Sequence, residues 1–371
     1  MCRIGAIKSK QYIHPSQALY LMQSQQKGHD NSGFAMVMQD LGGIFKEYKT
    51  KPLLSYAGSN AAVKLIKNFM TAQGFISLFK WSPKTFPRPD LDIALLDNYI
   101  FEVFDFPKEL KKADPEARAD LLTSTRLHLR QLLTNQCGDE GFVYSFWPDV
   151  LTLKEIGNPK DIGDYFNLWT EDKKLLAKII TVQCRQNTNY AIVRYAAHPF
   201  FLQGYTILVN GENTFYVKNK EFQKSLHPGY LGFESDSQCF LYTLHYLHRE
   251  LHWPLEYYKH VITPLPFEDI QKSPHKDILL SLRQSLPHLE INGPNTIIGV
   301  LPDGTMINVN DSKKLRPVVV GQDKNTVVMS SEVCGLNTIL PDRDQTKDIY
   351  PNERETIVVT NDLEVQRWNQ Q

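Results

Sequence analysis

Cysteine is scarce in these 371 residues. There are five, Cys2, Cys137, Cys184, Cys239 and Cys334, an odd number with no Cys-x-x-Cys pair. A disulfide framework needs denser, even cysteines, and no His/Cys cluster stands at metal-ligand spacing, so no metal site is expected. Charge of one sign is also lacking. Lys plus Arg and Asp plus Glu each number 41, for a formal net charge of zero. Such a chain offers little to a phosphate backbone or an anionic bilayer, so neither nucleic acid nor a membrane surface is an expected partner. Long apolar runs are missing too. TIIGVL and PVVVG fall far short of the roughly 18 residues of a membrane span, and residues 1–20 hold no apolar stretch of signal-peptide length. Neither a Gly-x-Gly-x-x-Gly turn nor a P-loop joins a strand to a helix, which leaves nucleotide binding without support. The expected location is cytoplasmic.

What is present has globular proportions, with 42% hydrophobic and 22% charged residues. Residues 33–38 (GFAMVM) read as a strand, and the DLGG turn into GIFKEYKT reads as the rest of a hairpin. Ser59 can cap an amphipathic helix through Val63, Ile66, Phe69 and Met70, closed by Gly74. Several prolines make 80–108 look irregular. Asp114-Pro115 starts a helix with Leu122, Leu129 and Leu133 on its apolar face. YTILVNG (205–211) is a strand ending in an Asn-Gly turn. After it, Ser235 or Ser237 can cap a helix carrying Phe240, Leu244, Leu247 and Leu251. Ser273-Pro274 starts another, with Ile278, Leu282 and Leu286 inward. Strand after strand then follows from NTIIGVL to ETIVVTND. β-rich ends around amphipathic helices suit an α+β layered domain better than a doubly wound parallel sheet.

The residue richest in chemistry is Cys2. Once Met1 is removed, its thiol and a free α-amine sit on one residue. That amine titrates near pH 7.7–8.0, low enough to accept the thiol proton close to neutrality. Nucleophile and base then need no histidine. The segment that follows, RIGAI, reads as a buried strand, which argues against a disordered stub.

Four stretches extend the argument: CRIGAI (2–7), KGHDNSGFA (27–35), CRQNTNYAIVRYAAHPF (184–200), and VNGEN with SDSQ (209–213 and 235–238). LRPVVVG and VVMSSEV add late strands. In order and spacing they resemble the class II glutamine amidotransferases, above all the glutaminase domain of glutamate synthase and the subunits of N-methylglutamate synthase-like complexes. The resemblance implies a four-layer αββα sandwich of the N-terminal-nucleophile hydrolase type. It implies one domain over 1–371, with an insertion at about 75–140.

The same resemblance assigns roles to residues. Cys2 is the nucleophile, and the Asn210 side-chain amide with the Gly211 N–H forms an oxyanion hole. Arg185 grips the glutamine carboxylate with Thr188 in support, and Asp236 takes the ammonium. Residue by residue, other readings stay open. Asn-Gly is also a common turn, Arg185 could be a solvated charge, and Asp236 stands where a carboxylate can cap a helix. His198 reads as a structural histidine, and Asp30 and Ser32 as organisers of the turn beneath Cys2.

The chain departs from the family pattern at Arg3, where Gly is usual, at Val209, where His is usual, and at Gln238, where an acid is usual. The function implied is hydrolysis of glutamine to glutamate and ammonia through a Cys2 thioester. The partner implied is a flavin-containing synthase subunit that would carry FMN and iron–sulfur clusters, none of them on this chain. The departures raise a second reading, an inactive glutaminase-like binding or regulatory subunit. A third is a hydrolase of another amide.

Overall fold

The opening strand, Arg3–Ile13, takes the centre of a six-stranded antiparallel sheet. It pairs on one side with Thr326–Ser330 and on the other with Ala177–Cys184; Val319–Gln322 lies beyond the first, and Phe34–Leu41 and Val150–Glu155 beyond the second. The computed structural model describes residues 2–25, 30–91, 96–187, 191–226 and 232–368.

A second six-stranded sheet runs in the order Val365–Trp368, Thr356–Val359, Met306–Asn310, Asn295–Val300, Tyr205–Gly211 and Phe200–Leu202. Strand periodicity ties the two together. Ile4 and Ala6 of the opening strand share one apolar cluster with Leu208, Ile298, Val300 and Ile357 of the second sheet. Ile7, one residue out of phase, packs with Leu19, Leu21 and Met22 of the helix Ser16–Gln23 on the opposite face. Likewise Ile207 and Val209 turn away from Leu208 and meet Phe240 and Leu244 of the helix Gln238–His245. The architecture is therefore mixed helix and sheet, with apolar side chains facing both ways from each sheet.

A third, four-stranded sheet orders Ile76–Trp81, Asn98–Asp105, Pro52–Gly58 and Gly141–Pro148. Helices Asn60–Ala72 and Pro115–Cys137 close it through Ile66, Met70, Leu129 and Leu133, which pack on Leu54, Tyr56 and Phe146. Both helices start where capping chemistry directs. Ser59 Oγ accepts the Ala62 N–H at 3.3 Å, and Asp114 Oδ1 accepts the Ala117 N–H at 2.8 Å. The segment expected to be an insertion, 75–140, supplies two of the four strands and the long helix.

Other expectations fail for identifiable reasons. No hairpin follows the strand Phe34–Leu41. Residues Gly43–Tyr48 coil into a 3-10 turn, because the Gly42 and Ile44 N–H groups bond Leu176 O and Lys174 O and Gly43 takes φ +58. Residues 98–105, expected to be irregular, form a strand. Ile278 is 41% exposed, and Leu279 and Leu282 are the inward pair of the helix Lys276–Ser285. Among the described residues, no helix is long and apolar enough to cross a membrane.

Ile298 is fully buried between the two large sheets. Ile298→Ala leaves a cavity there and should cost about 2–5 kcal/mol, read as a lowered urea midpoint with an unchanged slope.

Candidate active site

Strand pairing brings Cys2 to the end of the first sheet. Arg3 lies opposite Cys184, so the chain leaving that strand passes beside the residue before Arg3. The Gln186 N–H donates to Cys2 Sγ at 3.3 Å, and the thiol lies 3.5 Å from Gln186 O. Burial pushes the Cys2 thiol above its ordinary value, while the Gln186 N–H and the positive charge of Arg185 act to lower it. On the far side, Phe34 also pairs with Cys184, and Gly33 O accepts the Arg185 N–H at 2.7 Å. Asp30 accepts the Ser32 and Asn187 N–H groups, and Ser32 Oγ donates to Arg185 O at 3.3 Å. Asp30 and Ser32 thus brace the 185–187 segment.

The opposing wall comes from the end of the strand Tyr205–Gly211. Gly211 is required by close approach: a Cβ there would stand 2.3 Å from Pro294 O. The loop beyond is tied back by Asp236, whose Oδ2 accepts the Asn213 N–H at 2.7 Å while Oδ1 accepts the Ser235 and Ser237 hydroxyls at 3.2 and 3.3 Å. Asn213 in turn donates to Asn219 and accepts the Phe215 N–H.

Between these walls lies a cavity of about 240 Å³, with Cys2, Arg185, His198, Val209, Gly211, Asn213 and Asp236 among its lining residues. Two buried donors there have no partner among the described residues, and neither has the buried acceptor Gln186 Oε1. Arg185 Nη2 donates to Asn187 Oδ1 at 2.9 Å, but its Nη1 has no partner among the described residues. Asn210 follows the phase of Leu208, toward the inter-sheet side where Cys2 begins the opposing sheet. Its Nδ2 is buried and unbonded, although Asn210 itself is not on the cavity wall. An unfilled buried donor is costly, so each is a ready site for an acceptor from a ligand. Burial lowers Arg185, with Cys2, Asp30 and Asp236 opposing; Arg185 and Asp236 both line the cavity.

The structure thus places four of the six residues expected from the sequence, Cys2, Arg185, Gly211 and Asp236, around one cavity, with Asn210 buried directly behind. Thr188 lies outside the described residues, as do 27–29 of the second motif. Arg185 is buried, not a solvated charge, and its guanidinium is only half satisfied. Asp236 fastens the 211–213 loop to the start of the helix. Of the two serines expected as caps, Ser237 makes no side-chain cap bond, whereas Ser235 Oγ accepts the Ser237 N–H at 3.3 Å. Sequence reasoning missed Gln186 and Asn187. Their signal is positional only: they follow a strand that pairs with the one Cys2 opens. No group of three or more His, Cys, Asp or Glu able to hold a metal occurs among the described residues.

No protein-family model matches the chain. An uncharacterised protein of Archaeoglobus fulgidus is 30% identical over 209 residues, a match spanning 56% of this chain and 54%, about half, of that relative. Among solved structures, an allosteric regulatory enzyme of purine biosynthesis aligns over 99% of this chain and 48% of its own at TM-score 0.50 and 12% identity, a likeness of fold. A glutamine phosphoribosylpyrophosphate amidotransferase from B. subtilis aligns over 99% and 49% at TM-score 0.47 and 13% identity.

Burial holds the Asp236 carboxyl above its ordinary value, against the Asn213 N–H and the two serine hydroxyls. A carboxyl whose folded pKa exceeds its unfolded one stabilises the fold at low pH, and that contribution is lost as pH rises through the folded value. Asp236→Asn keeps an acceptor for Asn213 and sheds the charge. Its urea midpoint should equal or exceed the wild type's at about pH 7 and differ less at about pH 4; a lower midpoint at neutrality contradicts this.

Proposed function

We propose that the chain is a glutaminase of the class II amidotransferase type, acting through Cys2 as its amino-terminal residue. The observation that carries the reading is one cavity bordered by the Cys2 sulfur, a half-satisfied Arg185 guanidinium and the Asp236 carboxylate, with an unbonded Asn210 amide behind it. Helix, sheet, sheet and helix packing in succession supports reading the fold as the αββα sandwich of N-terminal nucleophiles.

The chemistry balances on these groups. The α-amine takes the thiol proton, and the thiolate attacks the side-chain amide carbon of glutamine. The carbonyl oxygen becomes an oxyanion that accepts the Asn210 Nδ2–H and Gly211 N–H. On collapse, the C–N bond breaks and the ammonium of Cys2 returns its proton to the leaving nitrogen, which departs as ammonia. Water, deprotonated by the same amine, cleaves the γ-glutamyl thioester, and glutamate leaves with the thiol restored. Arg185 Nη1 meets the substrate carboxylate, and Asp236 the ammonium. That pair excludes amides without an amino-acid head, which sets this reading above hydrolysis of another amide.

A maker of free ammonia calls for a consumer. By the sequence resemblance that is a flavin-bearing synthase subunit carrying the FMN and iron–sulfur clusters. The inert, regulatory reading draws on Arg3 and Val209. An intact mass retaining Met1 would favour it, since the Cys2 nitrogen would then be an amide.

Ammonia release from glutamine should fall by about 10³-fold or more in Cys2→Ala; equal rates in the variant and wild type rule the mechanism out. Arg185→Lys loses the planar fork and should raise KM by about tenfold with a smaller change in kcat.

A further inference from the structure

We infer that His198 is a positioning residue, whose imidazole completes the hydrogen-bonded edge of the strand Tyr205–Gly211 and thereby fixes the Asn210 and Gly211 donors. The consequence for rate rests on the glutaminase reading; the placement does not.

The register makes the case. The short edge strand Phe200–Leu202 pairs Leu202 with Tyr205, Phe201 with Thr206 and Phe200 with Ile207. Continued two residues further, the same antiparallel register sets His198 opposite Val209. Backbone pairing stops at Phe200, where Pro199 has no N–H to give. The buried Val209 N–H would then be orphaned just before the Asn-Gly pair. His198 Nδ1 accepts it at 3.0 Å, standing where a backbone carbonyl would.

Gln183 closes the arrangement. The His198 N–H donates to Gln183 Oε1 at 2.6 Å, and Gln183 Nε2 donates to Val209 O at 3.4 Å. Both polar groups of Val209 are thereby held by one side-chain bracket. Gln183 itself pairs with Ile4 and Ala35 in the first sheet, so the bracket joins the Asn210 strand to the sheet that Cys2 opens. Since Nδ1 is an acceptor, the neutral ring carries its proton on Nε2. His198 lines the cavity, and no bond from Nε2 is seen among the described residues. Burial, with Lys154 and Arg185 nearby, drives its pKa well below the ordinary value. A ring that stays neutral and spends Nδ1 on the backbone is fixed in place; it is not a general base.

The test compares full-length wild type, His198→Ala and His198→Asn, whose side-chain oxygen can occupy the Nδ1 position. Glutamine hydrolysis and backbone amide exchange over 205–213 are measured by ammonia assay and mass spectrometry. His198→Ala should lower kcat about 10- to 100-fold with KM changed less than about threefold, and its pH–rate curve should keep its shape. Exchange over 209–212 should quicken by about tenfold or more, and His198→Asn should restore most of both losses. Wild-type kcat and exchange in His198→Ala overturn the inference. So does a lost ionisation in its pH–rate curve, or a His198→Asn as impaired as His198→Ala. If His198→Ala fails to fold, His198→Gln, whose amide reaches past Val209, is expected to show the same losses, and wild-type behaviour in it overturns the inference. If the wild type releases no ammonia from glutamine, the glutaminase reading fails alone. The exchange data then decide the bracket, with quickening in His198→Ala upholding it and no change overturning it.

Discussion

Two-sided pairing of the opening strand is the constraint on which the site depends. Chain termini usually fray, because few contacts hold them. Here Arg3 is already opposite Cys184, Gly5 is paired with both Val182 and Ser330, and the Gln186 N–H reaches the sulfur. The sulfur is therefore located by a ladder of backbone bonds. Two further walls of the cavity are placed relative to that ladder: 185–187 by leaving the neighbouring strand, and 209–213 by following from the sheet packed against it.

The pocket distributes its unsatisfied polarity unevenly. Arg185 spends one terminal nitrogen on Asn187 and keeps the other unbonded, whereas both oxygens of Asp236 already accept bonds. A carboxylate oxygen has capacity for a second donor, so Asp236 can hold its loop and still meet a ligand cation. Arg185 instead bears the full cost of a buried, half-empty fork until an acceptor arrives. That asymmetry makes the Arg185 side of the cavity the more demanding one, and it is the side braced by Asp30, Ser32 and Gly33.

Much of this was legible in one dimension where the signal is local. Ser59 and Asp114 cap helices, and Leu122, Leu129 and Leu133 are buried at helical spacing, because capping and periodicity act within a few residues. Gly43–Tyr48 was illegible as a 3-10 turn because its alternation imitates a strand, and the bonds that decide otherwise come from Lys174 and Leu176, far along the chain. Residues 98–105 were hidden by surrounding prolines, which mark turns but do not show that the segment between them finds two strand partners. Gln183 and His198 carry no motif value of their own. They matter because one antiparallel register leaves a single N–H unmet.

By itself, the sequence determined the candidates for chemistry: Cys2, the Asn210-Gly211 step, Arg185 and Asp236. It also determined the amphipathic faces that make helices and strands pack, since burial follows residue type and spacing. Only the tertiary structure decided that Cys2, Arg185, Gly211 and Asp236 border one cavity, that Arg185 is buried with half its guanidinium unbonded, and that Gln186 touches the sulfur. Those relations join residues more than two hundred positions apart through sheet register and sheet-on-sheet packing. Register is fixed by which backbone groups find partners across the whole fold, and no local window of residues contains that information.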